Sequence, residues 1–281
     1  MSNPSTTSPI PVIEANGAFI PQIGLGTWEL QGEVLAGAVE AALAAGYRHF
    51  DTAKRYENEA DLGAALRASG VARDEMFITT KVWRDDLAEE TFLRNAEASV
   101  ERIGMGPADL LLVHWPSPDR PMAEVIGALC KAQKEGFTRH IGVSNFPPHL
   151  LREAISLADA PLSANQCEYH PRLDQTELLE LCRREGIAFT AYAPIGSGGL
   201  LDDPELIALA AEKGRTPAQI VLRWHLQQGV VAIPRSRNPE RIAQNIAIMD
   251  FELTEADMAR LGAMARPDGR RFGLDWVDWD G

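Results

Sequence analysis

Asp51, Tyr56, Lys81 and His114 are four residues whose types, if brought together, can deliver a proton to a reacting oxygen. A phenol has an unperturbed pKa of about 10, high for proton transfer at neutral pH. A nearby ammonium favours the phenolate, so Lys81 is expected to lower the pKa of Tyr56. Asp51 can keep Lys81 protonated and oriented, and His114 can aim a ring nitrogen at the oxygen. The set then combines a proton donor with an oxyanion site. Taken alone, an Asp such as Asp51 after the apolar run YRHF is ordinarily a helix cap or turn former. The repetition of the pattern argues otherwise. Successive apolar runs end on Asp51, Lys81, His114, Ser144 with Asn145, Gln166, Tyr192, and Arg235 with Ser236, each about one strand-plus-helix unit after the last.

The elements that must hold these residues can be read from the same runs. Apolar, β-branched stretches predict strands near 20–28, 47–51, 76–82, 109–115, 139–145, 163–169, 188–194 and 230–236. Helical spacing fills the intervals at 33–45, 58–69, 89–103, 122–135, 148–157, 175–185, 204–213, 217–227 and 239–248. Eight alternations imply parallel strands with crossover helices, closed into an α/β (β/α)8 TIM barrel. In such a barrel all the polar strand ends share one rim. Asn16-Gly17, between two apolar runs, predicts an N-terminal β-hairpin that closes the other end. From Arg266 on the sequence has no period and is expected to form an irregular C-terminal tail, whose two Trp and one Phe are expected to lie over some surface rather than in solvent. Residues 1–9 are expected to be a disordered tail and 10–281 a single domain.

The net charge of −13 argues against nucleic acid or an anionic membrane as a partner. No apolar run has the length of a membrane span, and the opening MSNPSTTSPIP lacks the basic and apolar regions of a signal peptide. The three cysteines, Cys130, Cys167 and Cys182, form no CxxC pair and read as small buried hydrophobes in a reducing compartment. A cytoplasmic, monomeric protein is expected. The six histidines show no ligand spacing, so no metal is expected.

The chain resembles the aldo-keto reductase family over roughly residues 10–265. The motifs that carry the resemblance are GLGTW (24–28), DTAKRYENE (51–59), ITTKVW (78–83), LLLVHWP (110–116), IGVSNF (141–146), NQCEYHP (165–171), AYAPIGSGG (191–199) and IPRSRNPERIAQN (233–245). It is most similar to the bacterial 2,5-diketo-D-gluconate reductase and methylglyoxal reductase group, with HWPSPD (114–119) in support. The resemblance implies a catalytic tetrad of Asp51, Tyr56, Lys81 and His114, and a nicotinamide cofactor bound without a Rossmann fold. GLGTWE lacks the third glycine of the dinucleotide fingerprint.

The resemblance further implies that the nicotinamide stacks on Tyr192 while Ser144, Asn145 and Gln166 hold its carboxamide. The adenosine end falls on Arg235, Ser236, Arg237, Arg241, Gln244 and Asn245. Arg235 replaces the family's usual Lys, and Gln244 stands where Glu is common. Three arginines beside a helix N-terminus suit a 2′-phosphate, so NADPH is expected over NADH. Ala193 replaces a frequent Ser, and backbone N–H groups of Gly196-Ser197-Gly198-Gly199 are expected to compensate at the pyrophosphate.

Trp28, Trp83 and Trp115, at or near strand ends, are expected to wall a substrate pocket, and the short tail places Trp276 or Trp279 near its mouth. The implied reaction is reduction of small aldehydes, 2-oxoaldehydes or keto-sugars, with Tyr56 as general acid. Two alternatives stay open: an NADPH-binding sensor or subunit with little turnover, and a barrel lyase using Lys81 as a Schiff base. The pairing of Asp51 with Lys81 disfavours the second, because a Schiff-base amine must be neutral.

Overall fold

Asn16 and Gly17 both take positive φ, 47° and 86°, as a two-residue hairpin turn requires. The structure, a computed structural model, describes residues 10–196 and 199–279. The turn joins β1 (Val12–Ala15) to β2 (Ala18–Pro21), with Ala15 opposite Ala18. Ala15, Ala18 and Ile20 are buried together with Leu110, Leu112, Ala164, Ala188 and Val231 from barrel strands. The hairpin is therefore a plug: it covers apolar side chains at one end of the barrel. Burying Ile20 completely contributes about 1.5–3 kcal/mol. Asn16 fastens the turn by donating from Nδ2 to the Leu162 carbonyl at 2.7 Å and the Glu185 carbonyl at 3.2 Å.

Eight parallel strands follow: β3 (Gly24–Gly26), β4 (His49–Asp51), β5 (Phe77–Val82), β6 (Ala108–Val113), β7 (Thr138–Ser144), β8 (Leu162–Glu168), β9 (Ala188–Tyr192) and β10 (Val231–Ala232). From β4 on, each pairs with its predecessor in sequence. The ring closes through a parallel bridge between Ile23 and Ala232, with Ala232 N–H donating to Gln22 O at 2.8 Å and Gly26 N–H to Pro234 O at 3.1 Å. This seam explains the glycines of GLG. A Cβ on Gly24 would stand 2.7 Å from the His49 ring, and one on Gly26 would stand 2.8 Å from the Ile233 carbonyl oxygen.

The helices are α1 (Gly32–Ala45), α2 (Glu59–Ala68), α3 (Glu89–Ile103), α4 (Met122–Lys134), α5 (Pro148–Leu157), α6 (Thr176–Arg184), α7 (Pro204–Lys213), α8 (Pro217–Gln227), α9 (Pro239–Ile246) and α10 (Glu255–Gly262). They cover the outer face of the sheet, and α9 packs on α1 to complete the ring. All residues of β5, β6 and β8 are buried, as strands covered on both faces must be.

The eight-unit barrel with its hairpin stands as expected, with local differences. The run 20–28 is not one strand. Its start belongs to the hairpin, and the barrel strand proper is only Gly24–Gly26, with Ile23 bridging to Ala232 before it; Pro21 ends β2 without a backbone donor. The last strand shrinks to Val231–Ala232, and Pro234 follows. Helix α10 was not expected. Its Thr254–Asp257 capping box, in which each side chain meets the other's backbone N–H, was a readable start signal. The expected tail 1–9 lies outside the described residues.

Candidate active site

The barrel carries its polar strand ends to one rim. Asp51 ends β4, Lys81 is the penultimate residue of β5, His114 follows β6, Ser144 ends β7 and Tyr192 ends β9. Gln166 pairs with Ser144 across β7 and β8. Tyr56 stands in a 3-10 turn at Lys54–Tyr56, just above Asp51. Asn58 pins that turn: its Oδ1 accepts from Thr52 Oγ1 at 2.6 Å, and its Nδ2 donates to the Thr27 and Leu30 carbonyls, both at 2.8 Å.

Lys81 is fully buried, at 0 % exposure. Its ammonium has three N–H donors and three acceptors: Asp51 Oδ1 at 2.5 Å, the Thr52 carbonyl at 2.9 Å and the Tyr56 hydroxyl at 3.4 Å. The other Asp51 oxygen accepts from Gln166 Nε2 at 2.7 Å. Burial alone would lower the Lys81 pKa, but Asp51 and then Tyr56 outweigh it, so the direction is upward and the ammonium is kept.

The expected lowering of the Tyr56 pKa is corrected. Burial raises it, and the opposing pull of Lys81 does not overcome that, with Asp51 adding to the rise. The ring is only partly buried, yet its hydroxyl points at the buried ammonium. The phenol therefore keeps its proton through neutral pH, poised as a donor. His114 moves the other way. Burial, then Lys81, then Arg55 hold its pKa well below the usual imidazole value. The ring is neutral, and its centroid lies 5.6 Å from that of Tyr56, edge to face. Asp51, Tyr56, Lys81 and His114 are thus brought together at one rim.

The residues expected to hold the nicotinamide also converge. The Ser144 hydroxyl donates to the Gln166 carbonyl at 2.7 Å. Asn145 donates to the His114 carbonyl at 2.9 Å and to Ser144 Oγ at 3.1 Å, and its Oδ1 accepts from the Tyr192 hydroxyl at 2.8 Å. These bonds fix Tyr192, whose ring is half-buried at the mouth. Asn145 takes φ 64° to make them. At the β10 end, Arg235, Arg237, Arg241 and Gln244 are exposed, Ser236 is half-exposed and Asn245 is buried. Asn238 caps α9, accepting from Arg241 N–H at 3.0 Å. The set fits a nicotinamide dinucleotide: an aromatic face, amides beside it, and exposed guanidinium groups for a phosphate. Ser197 and Gly198 of the expected pyrophosphate loop lie outside the described residues.

Trp83 packs edge-on against His114 at 5.0 Å, and the Arg55 guanidinium lies 5.6 Å from its ring centre. Trp28 is 45 % exposed, with the Arg235 guanidinium 5.4 Å from its ring. Trp115 meets Trp279 of the tail at 6.2 Å; Trp276 is exposed.

One group escaped the sequence reading: Glu29, which forms an ion pair with Arg235 and had no signal. Of the tail aromatics expected to cover a surface, Phe272 stands between Trp28 and Tyr192, with ring centroids 6.0 and 5.7 Å away, a place that a stretch without period does not specify. Among the described residues, no three His, Cys, Asp or Glu side chains are grouped to hold a metal ion, and no helix is long and apolar enough to cross a membrane.

Barrel, plug and rim together define a class by fold and site: a (β/α)8 barrel closed by an N-terminal hairpin, with Asp51, Tyr56, Lys81 and His114 gathered at its mouth. The Aldo/keto reductase family model matches residues 22–266, and the chain belongs to that family. It is 42% identical over 254 residues to the glyoxal reductase of Bacillus subtilis, covering 90% of this chain and 92% of that one. A solved structure assigned as a 2,5-diketo-D-gluconic acid reductase B superposes with a TM-score of 0.94 at 41% identity, covering 97% of this chain and 98% of that chain. A Gox0644 variant solved in complex with NADPH superposes with a TM-score of 0.89 at 36% identity, over 95% of this chain and 97% of that chain.

Proposed function

We propose that the protein reduces small aldehydes, 2-oxoaldehydes or keto-sugars to alcohols with NADPH, and that Tyr56 is the general acid. The observation that carries this reading is the Tyr56 hydroxyl 3.4 Å from the buried, fully partnered Lys81 ammonium, with the His114 ring edge-on beside it; burial raises the pKa of Tyr56 and lowers that of His114, which favours a phenol donor beside a neutral imidazole. A reduced nicotinamide, when bound, supplies hydride to the carbonyl carbon. Tyr56 donates its proton to the carbonyl oxygen, and the Lys81 ammonium stabilises the phenolate left behind. A neutral His114 has one ring N–H with which to orient the oxygen. Asp51 holds Lys81 in place, and Gln166 holds Asp51.

Ser144, Asn145, Gln166 and Tyr192 are assigned to the nicotinamide. Arg235, Ser236, Arg237, Arg241, Gln244 and Asn245 are assigned to the adenosine end, where the exposed arginines favour a 2′-phosphate. Trp28, Trp83 and Trp115 wall the pocket. The glyoxal reductase relative supports a small 2-oxoaldehyde as substrate and the NADPH-bound neighbour supports the cofactor. A single domain over residues 10–281, working as a monomer in the cytoplasm, completes the reading.

The test is cofactor consumption with methylglyoxal, NADPH and NADH run side by side. Turnover with NADPH and little with NADH is expected. Tight NADPH binding without turnover on any small carbonyl would overturn the enzyme reading in favour of a sensor.

A further inference from the structure

The carboxylate of Glu168 is buried at 0 % exposure, at the very end of β8 and two residues beyond Gln166. No step of the proposed chemistry uses it. It accepts from the Arg271 N–H at 3.0 Å on Oε1 and 2.9 Å on Oε2, and from the Phe272 N–H at 2.8 Å on Oε2. The His170 ring adds Nε2 at 3.1 Å. A carboxylate is an acceptor-only group, and two successive backbone N–H groups of the C-terminal segment converge on it. A second contact holds the same segment. Arg266 N–H donates to the Arg172 carbonyl at 3.2 Å, and the buried Gly269 passes so close that a Cβ there would stand 1.8 Å from that oxygen. The segment bonded to Glu168 lies beyond the residues matched by the family model.

We propose that Glu168 is a positioning residue that latches the C-terminal segment across the barrel mouth, seating Phe272 between Trp28 and Tyr192 as the wall that restricts the pocket to small carbonyl substrates. The size limit rests on the carbonyl-reductase reading; the latch does not. The geometry transmits directly. Phe272 is the second residue bonded to the carboxylate, so its ring position follows from that bond. Gln would keep the volume of Glu168 but offer an NH2 group against N–H donors. The segment should then lift, and Phe272 with it.

The experiment measures hydrogen exchange at the Arg271 and Phe272 amides together with kcat/KM for methylglyoxal and for 2-naphthaldehyde. In the wild type both amides should be protected. Glu168→Gln should remove that protection and raise the naphthaldehyde-to-methylglyoxal ratio by about tenfold, the scale of apolar pocket discrimination. Phe272→Ala should raise the ratio similarly while leaving the Arg271 amide protected. Should Glu168→Gln fail to fold, Glu168→Asp, which keeps the charge on a shorter arm, should give the same changes in weaker form. Amides that stay protected in the Glu168 variants overturn the latch. An unchanged ratio in both Glu168→Gln and Phe272→Ala overturns the size limit. If the wild type reduces no carbonyl, the functional reading and the size limit fall together, while the exchange data judge the latch separately.

Discussion

At the scale of residues, the site is governed by one buried charge. The Lys81 ammonium spends its donors on Asp51, Thr52 and Tyr56. Asp51→Asn leaves that ammonium without a counter-charge, and breaking a buried pair costs about 3–5 kcal/mol. Urea unfolding of this variant should show a loss of that order. The same substitution has a kinetic sign. Asp51 raises the pKa of both Tyr56 and Lys81, so removing it lowers both. In the proposed mechanism reduction needs the phenol protonated, so its alkaline decline should begin at lower pH in Asp51→Asn than in the wild type. A pH–rate profile checks this; an unmoved alkaline limb would contradict the coupling. The four tetrad residues were legible because each stands at or just past the end of an apolar run. The direction of the Tyr56 shift was not, because sequence reveals a neighbouring charge but not the burial that outweighs it. Glu168 stands within NQCEYHP beside its partner His170, yet its backbone partners lie 103 and 104 residues away, which no local pattern reveals.

At the scale of elements, the rim depends on a closed barrel and on helices that begin where they should. Helix α8 starts with a capping box: Thr216 Oγ1 accepts from the Gln219 N–H at 3.3 Å, and Gln219 Oε1 accepts from the Thr216 N–H at 3.0 Å. Thr216→Ala should cost about 1 kcal/mol, read as a lower urea midpoint with unchanged slope. Gly142 matters more. A Cβ there would stand 2.4 Å from the Ala164 carbonyl, at the register shift between β7 and β8. Those strands carry Ser144 and Gln166, so Gly142→Ala should weaken cofactor binding as well as stability. Fluorescence titration with NADPH is the check. Strand number and order were readable from the alternation of runs. Strand lengths were not. A β-branched run continues past the last ladder bond, and Pro21 and Pro234 end β2 and the barrel's seam through missing donors rather than through loss of apolar character.

At the scale of the whole molecule, acid should unfold the protein through its buried histidines. His225 is fully buried and bonded through Nε2 to the Pro194 carbonyl at 3.0 Å. Burial lowers its pKa to about 3. A folded pKa below the unfolded value of about 6.5 means that the unfolded chain takes up the proton first. The stabilisation is therefore complete above pH about 6.5 and is lost as pH falls toward 3. His49 and His114 are lowered by burial as well and add to the same slope. Stability measured by denaturant between these limits should fall with pH, and His225→Gln should flatten the fall. The overall architecture was legible because alternation is a property of the whole chain. The seating of the C-terminal aromatics was legible only as a covering of some kind, since aperiodic residues take their positions from the surface they meet.

The most direct test of the proposed chemistry is methylglyoxal reduction by Tyr56→Phe with NADPH binding measured alongside. Loss of the donor hydroxyl should lower kcat by about 10²- to 10⁴-fold while the Kd for NADPH changes little, because Tyr56 is not assigned to the cofactor. Near wild-type reduction by Tyr56→Phe would contradict the assignment of the acid and with it the mechanism built on this rim.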